Sequence, residues 1–165
     1  MERVLIVGPC GAGKSTLAFT LADKTGLPLF HMDRLAWKDG WVDTPNAELR
    51  EILRPIVAQD RWLIEGNYGS TLPDRLRRAD TVVYLDYPIR ICLARILRRW
   101  WKYRGRSRPD MTEGCPERLD PEFLWYVARW NSNSRPRTEA LLAPYKDILV
   151  RLRTPRATED WLAQI

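Results

Sequence analysis

Near the start of the chain stands a run built to hold phosphate: Gly8-Pro9-Cys10-Gly11-Ala12-Gly13-Lys14-Ser15-Thr16. Gly8, Gly11 and Gly13 let the backbone curl, so that successive N–H groups, Ala12 among them, point inward at phosphate oxygens. Lys14 is spaced to reach the β- and γ-phosphates. Ser15 offers a hydroxyl to Mg²⁺, and Thr16 follows in the first helical turn, where the helix dipole favours an anion. The pattern implies binding of a nucleoside triphosphate, ATP with Mg²⁺.

Two carboxylates stand where they can join that site. Glu65 ends the apolar run Trp62-Leu63-Ile64 and is placed to hold the metal, directly or through water. Asp33 follows the short run Pro28–Met32. There it can accept the proton of an attacking hydroxyl or orient that hydroxyl towards the γ-phosphorus. His31, the only histidine, reads as a core-facing neutral residue before a catalytic one. Arg95 and Arg99 are four apart on one helix face, and Arg98 and Lys102 form a second such pair. Cations stacked this way repel, so an anion is expected against them, and an arginine-bearing flap over the γ-phosphate would exclude water.

The elements around these residues alternate. Val4–Val7 reads as a strand buried on both faces, followed by a helix over Lys14–Lys24 that stops at Gly26. Further strands are expected at Pro28–Met32, Trp62–Ile64, Thr81–Leu85 and Asp147–Leu152. Between them lie helices starting at Thr44-Pro45 and spanning Ile89–Tyr103, then Pro121–Asn131, Pro136–Ala143 and Thr158–Gln164. On the Ile89–Tyr103 helix, Ile89, Leu93, Ile96, Leu97 and Trp100 share a face. Trp37-Lys38-Asp39-Gly40-Trp41 and Gly105–Pro116 read as loops. Alternating strands and helices predict an α/β fold with a mostly parallel sheet, whose ligands bind beyond the strands' carboxyl ends. Those ends carry Gly8, Asp33, Glu65, Asp86 and Arg153.

A net charge of +6 would suit a nucleic-acid partner, but its distribution is local. Eight of the 27 basic residues fall between Arg90 and Arg108 with no acid among them, leaving 19 basic against 21 acidic residues elsewhere. Cys10, Cys92 and Cys115 fit neither a disulfide framework nor a CxxC zinc pattern. No apolar stretch reaches membrane length. The expectation is one cytoplasmic domain over residues 1–165, monomer or homodimer, with an acceptor-side insert at about 33–60 and a lid at about 99–120.

With the loop, Asp33, Glu65-Gly66 and the arginine segment in place, the chain resembles the adenylate-kinase-like P-loop kinases. Within them it is most similar to a bacterial family labelled topology-modulation proteins, through HMDRLAWKDGW, WLIEGNY, YRGRSRPDMTEGCPERLD and SRPR. The resemblance implies a three-layer fold with a five-stranded parallel sheet of order 2-3-1-4-5 and an arginine-rich lid. It assigns Arg95 to stacking on adenine, Arg99 to a phosphate, and makes Arg135 and Arg137 candidates for phosphate contact. It also implies no zinc-bearing lid, since the lid holds only Cys115. One departure bears on the acceptor. Where adenylate kinases carry Asp-Gly-Phe-Pro-Arg, this chain has Glu65-Gly66-Asn67-Tyr68-Gly69, without the arginine that grips the AMP phosphate.

The expected activity is therefore transfer of the γ-phosphate of ATP to a small-molecule or nucleotide acceptor. An acceptor without a phosphate, held by Asp33 as in shikimate- or gluconate-type kinases, fits that departure. Asn67 is expected on the acceptor side, with Trp37 and Trp41 as its apolar wall. The rival reading is a nucleotide-gated ATPase that lays the basic segment on nucleic acid, although no helix-turn-helix or RNA-module signature accompanies it.

Overall fold

β1 (Arg3–Val7) runs through the middle of the molecule, and its Val4, Leu5, Ile6 and Val7 are completely buried. Successive side chains of a strand point to opposite faces, so this strand feeds two cores. Val4 and Ile6 join Leu17, Ala18 and Leu21 on one face, while Leu5 and Val7 join Met32, Leu49 and Leu53 on the other. The computed structural model describes residues Met1–Ile165.

After β1 the chain continues as α1 (Lys14–Thr25), β2 (Leu29–His31), α2 (Met32–Ala36), β3 (Trp37–Lys38), β4 (Val42–Asp43) and α3 (Asn46–Ala58). Then come β5 (Trp62–Glu65), α4 (Leu72–Leu76), β6 (Thr81–Leu85) and α5 (Ile89–Tyr103). The segment 104–120 leads to α6 (Pro121–Ala128), α7 (Trp130–Leu142), β7 (Leu149–Leu152) and α8 (Pro155–Leu162). Five strands form one sheet in the order β2-β5-β1-β6-β7, every neighbouring pair parallel. Numbered among themselves they run 2-3-1-4-5, the expected α/β arrangement with helices on both faces. No helix is long and apolar enough to cross a membrane.

Several local expectations are corrected. The second strand ends at His31, because that is its last partner on β5 (His31 opposite Glu65), and Asp33 lies in the first turn of α2. The stretch Trp37–Trp41 is not a plain loop. Trp37 pairs with Asp43 and Lys38 with Val42 in a small antiparallel hairpin, turned by Gly40 (φ 71°) and Trp41 (φ 64°). Pro45 stays extended (ψ 142°), so α3 starts at Asn46, and Thr44 is buried without capping it.

On α5 the buried stripe is rotated from the expected one: Cys92 and Ile96 are buried, and Leu97 is 47% exposed. The phosphate loop causes this, since it lies directly against the Cys92 carbonyl. α7 starts at Trp130, whose buried ring draws two turns into the helix ahead of Pro136. The last helix starts at Pro155, with the Thr154 side chain accepting the Ala157 N–H at 3.1 Å. The short α4, which buries Leu72, Arg75 and Leu76, has too brief an apolar pattern to be expected from sequence.

Candidate active site

The glycine loop joins the carboxyl end of β1 to α1. Gly8 (φ 146°) passes so close to β6 that a Cβ there would lie 2.5 Å from the Leu85 carbonyl oxygen. At Gly11 (φ 80°) a Cβ would lie 2.4 Å from the Cys92 carbonyl oxygen. No side chain fits at either place, and both conformations favour glycine. Ala12 is buried, and Gly13 carries the chain into α1 at φ 97°. Lys14 lies back across the loop, its Nζ donating to the Pro9 carbonyl at 3.2 Å. Thr16 is exposed on the first turn.

Asn67 holds this loop from β5. Its Oδ1 accepts the Gly8 N–H at 2.9 Å and its Nδ2 donates to the Gly8 carbonyl at 2.8 Å. Asn67 was expected on the acceptor side; both polar atoms of its amide are engaged on the loop. The next residue, Tyr68, sits at φ 38° and donates its hydroxyl to Asp33 Oδ1 at 2.7 Å. Arg75 supports this turn from below. Fully buried, it donates to the carbonyls of Gly66 (2.7 Å), Asn67 (2.5 Å) and Tyr68 (3.1 Å). Burial pulls its guanidinium down to about 9, so it keeps its charge at neutral pH.

Ser15 and Glu65 come together, with Ser15 Oγ 3.2 Å from Glu65 Oε1. The same oxygen receives His31 Nδ1 at 2.8 Å, so the lone histidine is neither a plain core residue nor part of the reacting cleft. Ser15 Oγ also lies 2.7 Å from Asp110 Oδ2, which comes from the segment 104–120. Burial would raise the Asp110 carboxyl, but Arg108 beside it and the Ser15 hydroxyl together hold it below the usual carboxylate range.

Arg108 is the hub of that segment. It donates to Asp110 Oδ2 at 2.9 Å, pairs through Nε with Glu117 Oε2 at 2.7 Å, and brings Nη2 to 3.9 Å from Asp33 Oδ2. Burial, and after it the charge of Glu65, raises the Asp33 carboxyl above its ordinary range, against the pull of Tyr68, Lys14 and Arg108. Even so, 37% of the Asp33 side chain opens to the cleft. The segment is fastened to the β3–β4 side. Thr112 Oγ1 donates to the Trp37 carbonyl at 2.6 Å and Gly40 N to the Gly114 carbonyl at 3.3 Å.

The other expected residues are distributed as follows. Arg95 donates to the Ala12 carbonyl at 2.7 Å and lies over the Tyr87 ring at 5.3 Å, so it braces the loop instead of standing free to stack on adenine. Arg99 meets a protein anion, Glu117 Oε1, at 2.8 Å. Arg135 bonds Asp86 Oδ2 at 2.9 Å, just beyond the carboxyl end of β6, and Arg137 is exposed. Trp37 and Trp41 pack edge to face, 5.5 Å between centroids, with Arg118 over Trp41. Tyr68, Arg75, Arg108 and Asp110 are the site residues that sequence reasoning missed. Arg108 and Asp110 did carry a signal, as the last cation of the acid-free basic stretch and the first acid after it.

A central parallel strand running into a glycine loop and a helix that begins Lys14-Ser15, with an acid on the adjacent strand touching that serine, defines a P-loop nucleotide-binding protein. Residues 4–86, about half the chain, match the family described as "ATPase family associated with various cellular activities (AAA)", and the chain belongs to this family. It is also similar to shikimate kinase of Rhodococcus jostii, 29% identical over 136 residues that span 74% of this chain and 77% of the relative. Shikimate kinase of Chromohalobacter salexigens is 28% identical over 138 residues, 72% of this chain and 71% of the relative. Among solved structures, shikimate kinase from Acinetobacter baumannii in complex with shikimate aligns with a TM-score of 0.63 at 18% identity, covering 99% of this chain and 90% of that one. Shikimate kinase from Bacteroides thetaiotaomicron aligns at 0.57 and 15%, covering 99% and 95%. These likenesses share the P-loop kinase fold. They lend no support to the narrower topology-modulation resemblance.

Proposed function

We propose that this protein is an ATP- and Mg²⁺-dependent kinase that transfers the γ-phosphoryl group to a hydroxyl of a small polyhydroxy acid. The observation that carries the reading is the position of Asp33. It lies in the same cleft as Lys14 and Arg108, tied to the loop-holding turn through Tyr68. The shikimate kinase relatives support the phosphotransfer class and point to an acceptor of that size and polarity.

In this reading the loop N–H groups and Lys14 hold the triphosphate. Ser15 and Glu65, hard oxygen donors 3.2 Å apart, suit Mg²⁺, which neutralises charge on the β- and γ-phosphates when bound. Asp33 orients the acceptor hydroxyl and takes its proton, a task that a raised carboxyl pKa favours. Arg108 faces the transferred group across from Asp33, Arg99 holds Glu117 in place behind it, and Arg95 stiffens the loop. Residues 99–120 act as the lid and 33–60 as the acceptor-side insert of one cytoplasmic domain, with Trp37 as a wall. Every group comes from one chain, so a monomer suffices. The inward placement of Arg95, Arg99 and Arg108 counts against the nucleic-acid reading, because those charges are already paired or bonded inside.

The test is an ADP-release screen with ATP and Mg²⁺ across shikimate and related hydroxy acids, sugar acids, nucleosides and nucleoside monophosphates. Lys14→Ala serves as the blank. Turnover with a hydroxy acid that the blank lacks is expected. Turnover confined to nucleoside monophosphates, or none above the blank, overturns the proposal.

A further inference from the structure

His31 and Glu65 face each other at the carboxyl ends of β2 and β5, in direct register. Both side chains are at least nine-tenths buried, at 5% and 4% exposure, and Nδ1 lies 2.8 Å from Oε1. An ionised glutamate only accepts, so the imidazole must carry its proton on Nδ1 and donate. Phe19 packs on the ring, 4.9 Å between centroids and tilted by 50°, which fixes the imidazole plane. Ser15 Oγ approaches the same Oε1 at 3.2 Å. One bond from a ring held by an aromatic neighbour, with the Ser15 hydroxyl beside the same oxygen, restricts the carboxylate's rotation and leaves Oε2 outside both contacts.

We propose that His31 is a positioning residue: it donates from Nδ1 to Glu65 and so holds that carboxylate in the one orientation in which it and Ser15 together receive magnesium. The inference rests on the reading of Ser15 and Glu65 as the metal-holding pair. A buried carboxylate stripped of its hydrogen-bond donor would turn towards another partner, and the pair would lose its shape for a hard cation. The chain's only histidine stands here, 6% exposed.

The test uses the full chain and three variants. His31→Asn keeps an amide N–H at the reach of Nδ1, His31→Gln moves it to the reach of Nε2, and His31→Leu removes it. The quantity read is the ratio of ATP affinities with and without magnesium, measured by titration calorimetry. In His31→Leu and His31→Gln this ratio is expected to fall roughly 10–100-fold, the usual effect of losing a partner behind a metal ligand. His31→Asn should keep most of it, and magnesium-free ATP affinity should stay level in all three. If His31→Leu does not fold, the Asn and Gln pair decides. In wild type, ¹⁵N spectra of the single histidine should show a proton on Nδ1. A ring protonated on Nε2 alone overturns the inference, as does a His31→Gln ratio equal to wild type. An equal loss of magnesium-free binding in every variant, the mark of a merely structural role, overturns it too. Wild type that binds ATP with no magnesium effect overturns instead the reading of Glu65 beneath it.

Discussion

Asn67 and Gly8 are bonded twice, N–H to Oδ1 and Nδ2 to carbonyl, at 2.9 and 2.8 Å. The amide thus satisfies both backbone polar groups of the first loop glycine from the turn that follows β5. With Tyr68 bonded to Asp33, two consecutive residues tie the phosphate loop and the acceptor-side acid to one turn.

Asn67→Asp keeps an acceptor for the Gly8 N–H but loses the donor and sets a negative charge against the Gly8 carbonyl. ATP affinity is expected to fall roughly tenfold, about 1.4 kcal/mol. Calorimetric titration checks this, and an unchanged affinity would show that the loop holds its shape without the clamp.

Tyr68→Phe removes the hydrogen bond that stabilises the ionised form of Asp33. The Asp33 carboxyl is already raised by burial and by Glu65, and the bond opposes that rise, so its loss moves the pKa further up. Below its pKa the group holds a proton and cannot take another. The acid limb of turnover should therefore shift to higher pH, and ¹³C carboxyl titration should show the same displacement for Asp33 alone. A downward shift would contradict the assignment.

Arg75→Met leaves the carbonyls of Gly66, Asn67 and Tyr68 without their donor inside the protein. A loss of about 3 kcal/mol or more is expected. That corresponds to roughly 6–12 °C in melting temperature for a chain of this size. Arg75→Lys should recover only part of it, because a compact ammonium lacks the two spaced nitrogens with which the guanidinium reaches Gly66 on one side and Asn67 and Tyr68 on the other. Thermal melts of the two variants settle the order.

Asp110→Ala tests the contact between the arginine-bearing segment and Ser15. Asp110 Oδ2 sits on the hydroxyl that a bound nucleotide and its metal would use, so binding must exchange one oxyanion for another. Removing it should tighten magnesium-free ATP binding by roughly three- to tenfold. Weaker binding would instead assign Asp110 to holding the nucleotide complex.

The sheet was legible because its strands are short apolar runs, and the loop because only glycines permit its path. Glu65 was legible as a strand-end acid, whereas Asp33, read the same way, stands in the first turn of α2 just beyond its strand. The parts that were not legible share one property: they depend on residues far apart in sequence. Ser15 and Asp110 are 95 positions apart, and Gly8 and Asn67 are 59 apart. Arg75 reads as an ordinary charge on a short polar helix, since nothing local announces that three carbonyls will converge on it. The roles expected for Arg95 and Arg99 rested on spacing, which fixes the helix face and not the partner. Their partners turn out to be the Ala12 carbonyl and Glu117.

The fastening of the arginine-bearing segment to the hairpin side ends almost wholly on backbone. Thr112 reaches the carbonyls of Arg34 and Trp37, Cys115 Sγ that of Lys38, and Gly114 the N–H of Gly40. Because these bonds ignore side-chain identity, the side chains of Arg34 and Lys38 can be exchanged without loosening them. Selection, or a protein engineer, can therefore rewrite what this half of the cleft recognises while inheriting the cover over it unchanged.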